Sequence, residues 1–207
     1  MIFDLGGVIV PLDFERGYSV IEGLCPYRAH EIPLRIGGTD LVRRFETGKI
    51  ETHLFFRELC ALLSLNIDYE RFREVWSSIF VPGSLLPDSL FADLKARGYR
   101  LILLSNTNAI HYEMARARYS PLKYFDRTVL SYEVGAMKPS PAIYAAAIEQ
   151  AGCAPEECFF TDDISTYVEA AKRAGIDAVQ FTSPQRLMEE LAMRGVLNSK
   201  RSKESGV

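Results

Sequence analysis

The chain has 207 residues, with 24 Lys and Arg against 27 Asp and Glu, and is 48% hydrophobic. That length permits one domain with a modest insertion, and the composition suits a packed core. A net charge of −3 gives no ground for a nucleic-acid or membrane partner, and no apolar run approaches the roughly 20 residues that cross a bilayer.

The first element is the apolar run Met1-Ile2-Phe3, which ends in Asp4-Leu5-Gly6-Gly7-Val8. It reads as a buried parallel strand breaking at its carboxyl end, the edge where open α/β sheets bind ligands. A carboxylate is costly to bury there unless a metal ion or an electrophile compensates its charge, so Asp4 is the first candidate for chemistry. Taken alone, Asp-x-Gly-Gly is also an ordinary turn. Only three residues precede Asp4, so the native chain is expected to begin upstream of Met1. No basic region precedes an apolar stretch at the start, so no secretory signal is read. Cys25, Cys60, Cys153 and Cys158 show no Cys-x-x-Cys spacing and sit among apolar neighbours. They read as reduced core residues of a cytoplasmic protein.

After this strand the pattern turns helical over 14–24, 39–47, 50–63 and 69–80, each with apolar residues at helical spacing. Thr47-Gly48 and Asn66-Ile67-Asp68 are short connections between them, and Val81-Pro82-Gly83 returns the chain to the core. The expected division is a core from 1–12 and 84–207 with an all-helical insertion over 13–83. Beyond it the chain alternates: helix 89–97, strand 100–104, helix 109–117, strand 128–131, helix 142–150, strand 158–161, helix 168–174, strand 178–181, helix 184–193. Strands alternating with helices predict a doubly wound parallel α/β sheet. The polar, basic stretch 198–207 reads as a frayed tail.

Three further segments bring chemistry to the same edge. Leu101 to Leu104 runs into Ser105-Asn106-Thr107-Asn108, Lys138 precedes Pro139 at the start of a helical stretch, and Cys158 to Thr161 runs into Asp162-Asp163. Each has a plainer reading: Ser105 or the acidic pair as a helix cap, Lys138 as a solvated loop charge. Together, two sources of carboxylate, a hydroxyl with amides and an ammonium suit attack by a carboxylate on a phosphoester. Asp4 and Asp163 then supply hard oxygen ligands for Mg²⁺, which Asp162 joins directly or through water. Ser105 and the amides around Asn106 would hold phosphoryl oxygens, and Lys138 would counter negative charge and keep Asp4 ionised.

These four segments, in this order, resemble the haloacid dehalogenase superfamily of aspartate-nucleophile hydrolases. Phe3 to Val8, Leu104 to Asn108, Gly135 to Pro139 and Phe159 to Asp163 are similar to the bacterial α-D-glucose-1-phosphate phosphatase subgroup. The resemblance implies a Rossmann-like core with a small helical cap after the first strand, and adds the backbone carbonyl of Gly6 as a metal ligand. The implied activity is Mg²⁺-dependent hydrolysis of small phosphorylated metabolites, including sugar phosphates such as a hexose 1-phosphate, through an aspartyl-phosphate on Asp4. The alternatives are a catalytically impaired ligand-binding protein and a metal-free 2-haloacid dehalogenase, whose first motif carries a Tyr that is absent at position 6.

Two positions depart from the superfamily pattern. The usual second Asp, a general acid and base, is Gly6, which favours activated leaving groups such as an anomeric oxygen; Tyr167 replaces the Asn that the subgroup carries after the acidic pair. Substrate contacts are expected from the insertion, with Arg43, Arg44, Glu46 and Trp76 as contributors and the Gly48 turn facing the site. His30, His53 and His111 are not read as catalytic bases, and His111, just after Asn108, reads as a packing residue. The expected assembly is a monomer or weak dimer.

Overall fold

The computed structural model describes residues 1–197; the tail expected to fray lies outside them. Five short strands, β1 (Ile2–Phe3), β2 (Ile102–Ser105), β3 (Arg127–Leu130), β4 (Phe159–Asp162) and β5 (Asp177–Gln180), form one parallel sheet in the order β3-β2-β1-β4-β5. Successive side chains alternate between its faces. Phe3, Leu103, Leu130 and Phe159 enter one apolar layer, while Ile2, Ile102, Leu104, Val129 and Phe160 enter the other. Burial on both faces explains why the central β1 and the 102–104 part of β2 are apolar runs, whereas the edge strands β3 and β5 keep exposed Arg127, Asp177 and Gln180.

The helices that close the two faces are those the alternation predicts. On the first, α6 (Asp88–Ala96) and α11 (Pro184–Met193) contribute Leu90, Phe91, Leu94, Leu187 and Leu191. On the second, α9 (Pro141–Ala151) and α10 (Ser165–Arg173) contribute Ile143, Tyr144, Ala147, Val168 and Ala171. Helix α7 (Ala109–Arg118) is capped by Asn108, whose side chain accepts from His111 N–H at 3.0 Å. Asn108, not Ser105, is thus the helix cap. Strand β3 stops at Leu130 because Ser131 opens a one-turn helix, α8 (Ser131–Val134), closed by Gly135 at φ 77°. The expected strand end at 131 is corrected by that turn.

Between β1 and α6 lie α1 (Phe14–Glu22), α2 (Ile32–Gly37), α3 (Leu41–Glu46), α4 (Thr52–Leu63) and α5 (Tyr69–Trp76). They share a separate apolar cluster around Ile21, Ile32, Phe45, Phe55, Leu59 and Phe72. Helix α2 was not expected from periodicity: at six residues with a proline in its first turn, it is too short to show a helical stripe. Helix α5 ends at Trp76 and continues as a 3₁₀ turn over Ser77–Ile79. Entry and exit of this segment run side by side: Leu12 and Phe80 form an antiparallel bridge, Asp13 N–H donates to Ile79 at 2.8 Å and Val81 N–H to Pro11 at 3.1 Å. Among the described residues no helix is long and apolar enough to cross a membrane.

Candidate active site

Strand register, set by the apolar core, brings the polar residues together. Phe3 pairs with Leu103 on one side and Thr161 on the other. Asp4, one residue on, therefore falls between Leu104 and Asp162, and its N–H donates to Thr161 at 3.0 Å. Ser105 extends one residue beyond on β2. From β1 the chain winds outward to β2 and β3, then crosses back to β4 on the other side. The carboxyl ends of β1 and β4 thus flank the topological switch point, where such sheets open a crevice.

Lys138 reaches this crevice from the loop before α9. Its Nζ donates to Asp4 Oδ1 at 2.7 Å, to Asp162 Oδ2 at 2.5 Å and to the Leu104 carbonyl at 3.3 Å. All three ammonium protons are thereby placed. Burial works against its charge, but Asp4 and Asp162 outweigh burial and hold the Lys138 pKa above its ordinary value. The Asn106 side chain grips the lysine backbone from both sides, accepting from Lys138 N–H at 2.7 Å and donating to its carbonyl at 3.0 Å. Tyr167 stacks its ring 5.2 Å from Nζ and accepts from Asn106 Nδ2 at 3.4 Å. The departure from Asn at 167 thus supplies a cation–π wall to the lysine.

Carboxylate oxygens of Asp4, Asp162 and Asp163 all lie within 4.8 Å of one another. Burial pushes Asp4 up to about 7, against the pull of Lys138 and with help from Asp162. Burial and the neighbouring Asp162 also raise Asp163. Once all three carboxylates are ionised, one ammonium leaves a surplus of two negative charges, which a divalent cation would cancel. Oxygen donors are the ligands Mg²⁺ prefers, so the residues present fit it. They are not equivalent. Asp162 is fully buried, its Oδ2 on Lys138 and its Oδ1 accepting from Ile164 N–H at 2.9 Å, whereas the Asp163 carboxylate lines the open crevice.

Asp4, Gly6, Ser105, Asn106, Lys138 and Asp163 line one cavity of about 330 Å³, together with Gly7, Leu12, Phe14, Ile164 and Tyr167. Ser105 is buried, its hydroxyl within 3.4 Å of the Asn106 carbonyl. Arg44 is not brought to this cavity: it pairs with Glu58 at 3.4 Å and Asp40 at 3.9 Å, because its place on α3 points it along the insertion's own surface. Trp76 is also absent from it and lines a second cavity among α1, α2, α3 and α5. The Gly48 turn packs on the core beside the Tyr132 carbonyl of α8, which a Cβ on Gly48 would meet at 2.1 Å. His111 is buried and fully bonded: Asn108 Nδ2 lies 3.2 Å from Nδ1, and Nε2 lies 3.0 Å from the Trp76 carbonyl.

Sequence reasoning missed Gly7 and Ser131. Gly7 has φ 76°, and a Cβ there would fall 2.5 Å from an Asp163 oxygen. It therefore lets the first loop approach the acidic pair; the Gly-Gly pair was the available signal. Ser131 Oγ accepts from Thr107 N–H and donates to Thr107 O, both at 2.9 Å, tying the ends of β3 and β2 together. Nothing in the local pattern marks that serine.

The model of the haloacid dehalogenase-like hydrolases matches residues 1–175, and the chain belongs to that family. It is 28% identical over 205 residues to D-ribitol-5-phosphate phosphatase of Bacteroides thetaiotaomicron, covering 96% of this chain and 98% of that one. A phosphorylated carbohydrates phosphatase of Thermotoga maritima is also 28% identical, over 86% of this chain and 82% of its own. Among solved structures, a HAD family enzyme of B. thetaiotaomicron in complex with magnesium and inorganic phosphate superposes with a TM-score of 0.75. It is 29% identical over 88% of this chain and 93% of that chain.

Proposed function

We propose that the chain is a Mg²⁺-dependent phosphatase of small phosphorylated metabolites, sugar or polyol phosphates among them, with Asp4 as nucleophile. The observation that carries this reading is the buried Lys138 ammonium bridging Asp4 and Asp162 beside the third, open carboxylate of Asp163. Similarity to two carbohydrate-phosphate phosphatases and to a magnesium–phosphate complex supports it. A dehalogenase reading leaves Asp163 without a task.

Asp4, Asp163 and the Gly6 carbonyl would hold the ion. Bound there, it would neutralise the approach of an anionic nucleophile to an anionic phosphoryl group. The Asp4 carboxylate attacks phosphorus, the ester P–O bond breaks, and the alcohol oxygen leaves with the bonding pair. Water then attacks the aspartyl-phosphate, releasing inorganic phosphate and restoring Asp4. Lys138 holds Asp4 in place and compensates its charge, while Ser105 and the amide at Asn106 would bind phosphoryl oxygens. Residues 13–83 act as a cap over the crevice, joined to the core by the paired linkers at 11–13 and 79–81.

Asp4→Asn tests the nucleophile. The amide is isosteric and still accepts from Lys138, so the fold should persist while phosphate release falls by roughly 10⁴-fold. Turnover within a few-fold of wild type would end the aspartyl-phosphate reading.

A further inference from the structure

The four thiols are not alike. Cys25 and Cys60 lie half-buried in the helical insertion, Cys158 is buried, and Cys153, expected in the core, is exposed. Cys153 follows Gly152, which ends α9 at φ 67°, and Cys158 stands directly before β4. Their Sγ atoms lie 3.6 Å apart. The phosphatase chemistry has no use for them: they meet at the amino end of β4, whereas the acidic cluster of Asp4, Asp162 and Asp163 lies at the carboxyl end of the sheet.

The turn between them holds the two sulfurs close. Pro155–Glu157 is a 3₁₀ turn. Glu157 N–H donates to the Ala154 carbonyl and Cys158 N–H to that of Pro155, both at 3.0 Å, and the Glu157 carboxylate accepts from Ala154 N–H at 3.0 Å. Cys158 is also pinned from β5, its carbonyl accepting from Asp177 N–H at 3.1 Å. The entropy of closing this short loop is therefore already spent, and each thiol meets the other at the high effective concentration of a tethered pair. Cys158 is a poor first nucleophile: burial and the contact with Cys153 push its thiol up to about 11, and at 2% exposure it offers a reagent no approach. Cys153 stands open to solvent and meets a reagent first.

We propose that Cys153 and Cys158 form a redox-sensitive pair that closes reversibly to a disulfide when the protein meets a low-molecular-weight disulfide. The Cys153 thiolate attacks one sulfur of that reagent; a mixed disulfide forms on Cys153, and the first small thiolate leaves with the S–S bonding pair. Cys158 then gives up its proton and attacks Cys153 Sγ. The Cys153–Cys158 bond forms and the second small thiolate departs. The two protons from the cysteines end on the two small thiols, so the protein loses two electrons and the reagent gains them. A reducing thiol runs the same steps backwards. The pair protects the exposed thiol, which keeps no lasting adduct and makes no cross-link between chains because its partner lies 3.6 Å away. It works independently of the phosphatase reading.

Glutathione disulfide, applied to the full chain at mildly alkaline pH, tests the pair. Wild type should lose two of its four thiols, carry no glutathione and become lighter by two hydrogens. After alkylation and cleavage at Glu157 in denaturant, the pieces holding Cys153 and Cys158 should stay joined until dithiothreitol parts them. Cys158→Ser should instead trap glutathione on Cys153, and Cys153→Ser should leave Cys158 free. Serine at the exposed position 153 disturbs no core contact, so that variant reports even if Cys158→Ser does not fold. A wild type that keeps all four thiols, retains glutathione, or links Cys153 to any other cysteine would overturn the pair. Glutathione on Cys158 in Cys153→Ser, or none on Cys153 in folded Cys158→Ser, would overturn the order of attack.

Discussion

The Asn106 amide holds Lys138 by its backbone, with one hydrogen bond of 2.7 Å from the lysine N–H and one of 3.0 Å to its carbonyl. This contact spans 32 residues and fixes the base of a side chain whose tip must lie between two carboxylates. Asn106 is thus a positioning residue through its side chain, whatever its backbone amide does for phosphate. Asn106→Ala should lower kcat by roughly 10–100-fold, since a misplacement of about 1 Å can cost 10²-fold. Because it acts through Lys138, the Asn106→Ala, Lys138→Ala double variant should be no slower than Lys138→Ala alone. Multiplicative losses in that cycle would show an independent role.

The acidic pair divides its labour. Asp162 has both oxygens engaged by Lys138 and Ile164 N–H, so Asp162→Ala strips a buried ammonium of one partner and should cost about 3–5 kcal/mol of stability. Asp163 faces the crevice, and Asp163→Ala should leave the melting temperature nearly unchanged while raising the Mg²⁺ needed for half-maximal activity far more than Asp162→Ala does. Thermal melts and Mg²⁺ titrations on both variants separate the two effects. Activity in excess chelator would remove the metal from the account.

Gly6 leaves the crevice without a carboxylic acid above the nucleophile, and general acid help is typically worth ~10²–10⁴ in rate. Activity should therefore rank by leaving-group acidity, with aryl and anomeric phosphates ahead of primary alkyl phosphates. Gly6→Asp should help the alkyl substrates selectively. A Cβ at this position would meet only the Leu12 side chain, Cδ1 at 2.7 Å and Cγ at 3.6 Å, and a leucine tip can turn aside to another rotamer. Gly6→Ala serves as the steric control. Equal kcat/KM for alkyl and anomeric phosphates in wild type would show that another group supplies the proton.

His111 makes stability depend on acid. Asn108 Oδ1 accepts from His111 N–H, so its Nδ2 donates to Nδ1, and the ring's Nε2–H donates to the Trp76 carbonyl. Burial depresses the imidazole pKa from 6.5 to about 4. Below pH 6.5 the unfolded chain takes up a proton that the folded chain refuses, so stability falls as pH drops toward 4. Between pH 7 and 5 this one group should remove about 2 kcal/mol. His111→Gln should melt lower than wild type at pH 7 but lose less on going to pH 5. Parallel slopes for the two proteins would show that His111 is not the acid-sensitive group.

Much of this molecule was legible in the sequence because the signals are local. Ile102 to Leu104 had to be a strand buried on both faces, the helical period marks α6, α9 and α11, and Asp4, Ser105 and Asp162-Asp163 stand where apolar runs break. Parallel pairing then places such breaks at one edge, so the core that buries Phe3, Leu103 and Phe160 also assembles the polar cluster. The same locality explains the errors: α2 is too short for its period to register, and Ser131 ends a strand one residue early with no composition change to mark it.

What only the tertiary structure decided are relationships between residues far apart in the chain. Arg44 and Trp76 lie on the same helical insertion, yet one is turned to an ion pair with Glu58 and the other to an inner cavity, because the side of a helix that faces a neighbour is set by packing. Two adjacent aspartates, alike in sequence, separate into one locked against Lys138 and one open to the crevice, since neighbouring residues at a strand end point to different places. Glu46 looks like any surface glutamate at the end of a helix. Its place in the wall of the second cavity, where burial pushes its pKa up to about 7, appears only when α1, α2 and α5 close around it, because burial belongs to the whole fold and is written in no local stretch of chain.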